Sequence, residues 1–289
     1  LPKRVIDVLA ATPDVVLVNS DGGRGQYTCL SHPWGDEVPL RTTIRNLQTH
    51  QNRIPFEKLP LTFQDAVKIT RRIGVRWIWI DSLCIIQDDS LDWEKESSTM
   101  AAIYSNSYLT IAATSSERPS DGFRSPRSMN LLDGFYFRDV TSQMEQCKSI
   151  RGIQDFNQPT NSLPLLRRAW VFQERLLSPR VLHFAWCEMV WECRSGVICE
   201  CTPGDVDKSV IEGAKRLYHQ ATSECESVLL PFSTWCQLSR AYFKCRITFA
   251  EDRLPALSGL ARAFQEKNPT VGRYLAGIWS DNLLRGLLW

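Results

Sequence analysis

The sequence predicts an α/β fold with a mostly parallel sheet, followed by a β-hairpin and a helical C-terminal extension. Three observations carry this prediction. Short apolar runs alternate with helix-like segments between residues 14 and 114. Two further apolar runs, VLHFAW and MVWEC, lie close enough together to pair as a hairpin across Cys187–Glu188. Beyond about residue 230 the apolar residues keep helical spacing to the end of the chain. Strands that alternate with helices form parallel sheets, because a parallel pair needs a crossover between its members.

DVVLVNS (14–20) and QYTCLSHPW (26–34) read as strands joined by the turn DGGRG. A helix follows Pro60, with Thr62 as its expected cap and Asp65 in its first turn, where the helix dipole favours an acid. Phe63, Ala66, Val67, Thr70 and Ile73 repeat at helical spacing, and Gly74 ends the run. RWIWI (76–80) is the next strand. A second helix is expected from about Asp92 to Ser107, with Asp88, Asp89 and Asp92 at its positive end, and YLTIAAT (108–114) is another strand. Residues 115–162 are rich in Ser, Pro, Gly and Asp and read as a long loop or insertion. LPLLRRAWVFQERLL then reads as one amphipathic helix, and residues 202–230 as a polar linker before the helical tail. The expected division is a lead-in over 1–25, a core over 26–175 and an extension over 176–289.

Composition excludes several functions. Of the 289 residues 43% are apolar and 23% charged, the balance of a chain that builds a real core. The net charge of +2 gives no strong attraction to nucleic acid or to an anionic membrane. No stretch reaches the ~18 apolar residues needed to span a bilayer. The N-terminus LPKRVIDVLAATPD lacks the apolar length and cleavage site of a signal peptide. The missing initiator Met and the apolar end LLRGLLW lead to the expectation of a fragment of something longer. The ten cysteines sit singly inside apolar runs, as buried thiols do, which points to a reduced, intracellular chain.

The stretch RWIWIDSLCIIQDD (76–89) holds the first candidate site. Ligands of doubly wound sheets bind outside the carboxyl ends of the strands. Asp81, Ser82 and Cys84 follow one strand end, and Ser31, His32 and Trp34 follow another. A Cys84 nucleophile with His32 as base and Asp81 as orienter obeys the logic of activated nucleophiles, but no local pattern supports that pairing. The plainer reading, with Cys84 packed as a hydrophobe and Asp81 bonded to its own turn, is favoured. Glu96 falls on the flank of the stripe Trp93, Ser97, Met100 and Tyr104, so it is paired, protonated or in a cleft. Gln173 sits on the stripe Leu166, Trp170 and Leu177, where an amide either specifies a core or binds a ligand. His183, Cys187, Cys193, Cys199 and Cys201 lack the paired spacing of structural zinc, so no metal site is expected. The tryptophans lie on apolar stripes rather than among basic residues, which does not describe a base-stacking surface.

Four segments together carry a resemblance: YTCLSHPWG (27–35), LPLTFQDAVKITRRIGVRWIWIDSLCIIQDD (59–89), DWEKESSTMAAIYSNSYLTIAAT (92–114) and RAWVFQERLLSPRVLHF (168–184). They resemble the fungal heterokaryon-incompatibility (HET) domain. ITFAEDRLPALSGLA (247–261) and YLAGIWSDNLLRGLLW resemble the segment that commonly follows it. The resemblance implies a cytoplasmic fungal effector of self/non-self recognition, whose activation leads to growth arrest and cell death. It implies protein partners and self-association as a homo-oligomer.

The family is also similar to Toll/interleukin-receptor (TIR) domains, which implies a TIR-like, flavodoxin-like core. Some TIR domains cleave NAD with a Glu a few residues past a Trp in a helix after a central strand. Glu96, after Trp93, occupies a comparable place, with NAD as the implied substrate. One departure is His32 after Ser31, where the family more often has Tyr. A biosynthetic enzyme acting on a small polyketide-like molecule is a third expectation, with a strand-end pocket lined by His32, Trp79 and Asp81.

Overall fold

Arg4–Ala11 (β1) and Asp14–Asn19 (β2) form an antiparallel pair at one side of an eight-stranded mixed sheet. The computed structural model describes residues 1–35, 40–123, 163–185, 189–199, 213–222 and 229–287. The sheet continues with Tyr27–Ser31 (β3), Trp77–Trp79 (β4), Leu109–Ala112 (β5), Arg180–Phe184 (β6), Met189–Cys193 (β7) and Gly196–Cys199 (β8). Their spatial order is β2-β1-β4-β3-β5-β6-β7-β8. The four central strands β4, β3, β5 and β6 run parallel, and the outer pairings are antiparallel. The mostly parallel α/β core, the hairpin β6–β7 and the helical C-terminal region are therefore as the sequence predicts. The proposed hairpin turn at Cys187–Glu188 lies outside the described residues.

Among the described residues the α-helices in chain order are Leu47–Asn52 (α1), Leu61–Arg72 (α2), Asp81–Cys84 (α3), Ser90–Ser105 (α4), Ala169–Leu177 (α5), Ala214–Thr222 (α6), Leu229–Phe243 (α7), Pro255–Lys267 (α8) and Leu283–Gly286 (α9). Alternate residues of a strand point to opposite faces, and β3 shows which helix covers which face. Thr28 Oγ1 lies 2.8 Å from Thr70 Oγ1 of α2. Tyr27 donates its hydroxyl to the Ile103 carbonyl of α4 at 2.6 Å, and Ser31 reaches α5. So α2 covers one face, and α4 and α5 cover the other. In order of sequence the parallel strands stand second, first, third, fourth, the doubly wound order whose switch point lies between the first and third strands. Here those strands are β3 and β5.

Several local expectations need correction. Thr62 does not cap α2: Pro60 is the cap residue, and the buried Thr62 hydroxyl has no partner among the described residues. Gly74 does end that helix, at a φ of +75° that suits glycine. Helix α4 begins at Ser90 and is capped by Asp89, whose carboxylate accepts from the Leu91 and Asp92 amides at 3.1 Å. LPLLRRAWVFQERLL is not one helix. A 3₁₀ turn over Pro164–Arg167 gives way to an extended Arg168 before α5 starts. The expected polar linker contains α6, and the expected loop opens with a 3₁₀ turn at Pro119–Asp121; residues 124–162 lie outside the described ones.

A core of Val, Ile, Leu, Phe and Trp side chains runs from the sheet into the C-terminal helices. Trp235, Phe264, Tyr274 and Trp279 form an aromatic cluster there, with Trp235 and Trp279 centroids 5.0 Å apart. Helix α5 packs against α4, α6 and α8. Gln173 serves this packing: it is 2% exposed, and its Oε1 accepts from the Leu260 amide of α8 at 3.1 Å.

A buried charged network adds to it. Arg175 of α5 donates twice to Glu192 of β7, at 2.8 and 2.7 Å, and His183 Nε2 lies 3.2 Å from the same carboxylate. Lys215 of α6 donates to the Arg175 carbonyl at 2.8 Å. The Arg175 guanidinium opposes the burial of Glu192 and holds its carboxyl well below the usual range.

Candidate functional site

A cleft of about 660 Å³ opens beside the ends of the parallel strands. That volume suits a small molecule. Trp34, from the turn after β3, and Asp81, at the start of α3, line it together with Glu174 of α5. Asp81 stands there because β4 is an interior strand whose apolar run ends at Ile80. Asp81 Oδ2 accepts from the Trp34 indole at 2.8 Å, and Oδ1 accepts from the Ser82 amide at 2.7 Å. The acid thus ties its own turn and also faces the cleft.

Glu174 is the chemically distinctive group. It is 6% exposed, and its Oε2 accepts from the Ser31 hydroxyl at 2.6 Å. Burial pushes its carboxyl up to about 7, against the opposing effect of the Ser31 hydrogen bond; the nearby Asp81 pushes the same way as burial. The Arg168 guanidinium and the Tyr104 hydroxyl of α4 also act against that rise. A carboxyl that exchanges its proton near neutral pH can donate or accept one without a large penalty. Sequence reasoning passed over Glu174 for its neighbour Gln173. The available signal was an acid one helical turn beyond Trp170, on a helix whose other residues, Gln173 and Arg175 apart, are apolar.

The remaining expected residues fall in different places. His32 is 3% exposed, packs edge-on against Phe63, and has Nδ1 3.7 Å from Asp81 Oδ1, beyond hydrogen-bond reach. Burial holds its imidazole below the usual range, which favours the neutral form. His32 Nε2 and Ser82 Oγ have no partner among the described residues. Cys84 is fully buried, its thiol pushed up to about 12, chiefly by burial, and the Arg4 Nε donates to its carbonyl at 2.6 Å. This suits a packed hydrophobe better than a thiolate nucleophile.

Glu96 is not among the residues lining the cleft. It is buried beside Lys3, 4.0 Å away, near the ion pair of Arg4 with Asp92. Burial raises its proton affinity, and the Arg4 charge opposes that. His183 is turned toward Thr114 and Glu192; Cys187 and Cys201 lie outside the described residues.

The cleft's mouth is aromatic. Trp93, from the first turns of α4, is 40% exposed; Trp170 of α5 lies on another side. Six residues between 246 and 252, all but Ala250, complete the lining. Polar groups thus converge at the strand ends, and aromatic surface surrounds them.

The sequence model for heterokaryon incompatibility protein (HET) matches residues 27–174, just over half of the chain. This protein belongs to the heterokaryon-incompatibility family. The matched span includes Ser31, Trp34, Asp81 and, as its last residue, Glu174. No curated protein and no solved structure gave a match. No helix among the described residues is long and apolar enough to cross a membrane.

Proposed function

We propose that this member of the heterokaryon-incompatibility family is an effector of self/non-self recognition that drives growth arrest and cell death from the cytoplasm, and that it acts through a small ligand bound in the strand-end cleft. The carrying observation is the meeting of Asp81 and Glu174 in one cleft at the strand ends, both inside the family-matched span. Protein partners and self-association set when the effector is active in this reading. Its test is expression in a fungal host at matched protein levels. The parent chain arrests growth, and Asp81→Asn and Glu174→Gln relieve the arrest. Equal arrest by parent and variants removes the cleft from the function; no arrest by the parent removes the effector reading itself.

A second reading, NAD cleavage in the manner of some TIR domains, has one observation in its favour. Glu174 is a carboxyl that titrates near neutrality in an aromatic-walled cleft. The acid's role therefore passes in this reading from Glu96 to Glu174. Nicotinamide release from NAD by purified chain, lost in Glu174→Gln and kept in Glu96→Gln, supports it. The reverse pattern restores Glu96, and no release by folded, concentrated protein rejects the activity.

A further inference from the structure

The cleft's outer wall comes from residues 246–252, beyond the family-matched span, and it is firmly attached. The Ala169 amide donates to the Arg246 carbonyl at 2.9 Å, and the Arg246 amide to the Arg167 carbonyl at 2.5 Å. Together they form a parallel β-bridge between Arg168 and Arg246. The Trp170 indole donates to Asp252 Oδ2 at 3.3 Å. The segment is thus pinned to the start of α5, one turn from Glu174, and it carries Phe249, 60% exposed, to the mouth of the cleft.

The chemistry of that wall complements what lies deeper. Phe249 adds a fourth ring to Trp34, Trp93 and Trp170. Glu251 and Asp252 join Asp81, so three carboxylates, besides the buried Glu174, face the cleft against the two guanidiniums of Arg168 and Arg246. Arg168 is partly committed, since its Nη1 donates to the His32 carbonyl at 2.6 Å. Aromatic faces attract cations through the ring quadrupole, and an excess of carboxyls in a partly desolvated cleft favours positive charge over negative. The two effects act on the same ligand only if its charge and its flat surface lie close together.

We propose that the 246–252 wall makes the cleft selective for a small organic cation with a flat apolar body. The family core contributes Asp81 and Glu174, and the extension contributes the ligand preference. This inference rests on the reading of the cleft as a ligand site.

The experiment is titration of the full chain, followed by tryptophan fluorescence and calorimetry, with three probes of similar size. They are phenyltrimethylammonium, benzyl alcohol and benzoate, at equal ionic strength. The cation should bind at least about fivefold more tightly than either of the others, the scale of a cation–aromatic contact in a partly exposed site. Glu251→Gln and Phe249→Ala, both at exposed positions, should each reduce that preference while leaving the melting temperature unchanged. Tighter binding of benzoate or equal binding of all three overturns the cation selectivity but leaves a ligand cleft in place. An unchanged preference in both variants overturns the role of the wall. Failure of every probe to bind overturns this inference and counts against the cleft itself.

Discussion

Replacing Glu174 by Gln should remove a slope from the pH dependence of folding. The buried carboxyl binds its proton more tightly in the fold than in the unfolded chain, rising from the ordinary 4.5 to about 7. Between those values the folded protein holds a proton that the unfolded chain has released. Stability must therefore fall as pH rises through that window. At roughly 1.4 kcal/mol per pKa unit, the loss attributable to this one group is about 3 kcal/mol. Gln keeps the shape and a polar terminus for Ser31 but cannot ionise. Urea unfolding of both proteins at half-unit steps from pH 4.5 to 8 gives the difference directly. Parent minus variant stability should decrease by about 3 kcal/mol across the range, and nearly all of the decrease should lie below pH 7.5. Since other titrating groups are common to both chains, they largely cancel in the difference. A flat difference would mean that Glu174 carries an ordinary carboxyl, and the argument for proton exchange in the cleft would fail with it.

Other perturbations probe the frame that holds the site. Arg175→Ala strands Glu192 without its buried counter-ion and should destabilise by about 3–5 kcal/mol, read as a shift of the urea midpoint. Gly259→Ala places a methyl against Gln173 Oε1 and within 2.7 Å of Ala101 Cβ. It should lose about 1–3 kcal/mol as α8 is pushed off α4 and α5. Thr62→Val removes a buried hydroxyl that has no partner among the described residues and should leave stability unchanged or raise it by about 1 kcal/mol; a marked loss in thermal melting would reveal a hidden bond. Trp235→Ala empties the centre of the C-terminal aromatic cluster and should cost about 3–5 kcal/mol, seen as an earlier unfolding transition.

Much of the core was legible because the strands are short apolar runs with polar punctuation. RWIWI announces an interior strand, and the acid that follows it is at the rim because the run has nowhere else to end. The edges were harder. β8 is only Gly196–Cys199, and β1 runs into a lead-in whose Asp7 interrupts the apolar pattern. Helix α6 was read as linker because its residues are mostly polar, although Tyr218 and Ala221 are buried.

Glu174 was missed for a physical reason. A helical stripe was extended backward through Leu166, which belongs to a 3₁₀ turn, and the extended Arg168 breaks the phase between the two. Glu96 was correctly read as lying beside an apolar stripe, but periodicity gives an angle around a helix and not the distance to a strand end. No pattern in the sequence brings residues 246–252 to residue 34; the β-bridge at Arg168 and the Trp170–Asp252 hydrogen bond do.

The end of the family-matched span at Glu174 falls in the middle of a helix, and Arg175 is the first residue past it. Glu174 and the residue whose guanidinium holds β7 and whose carbonyl holds α6 are thus neighbours on one helical turn. A chain cut at that point would divide the helix between its two jobs. The region after the matched span is therefore fastened to the cleft-lining helix one residue from Glu174.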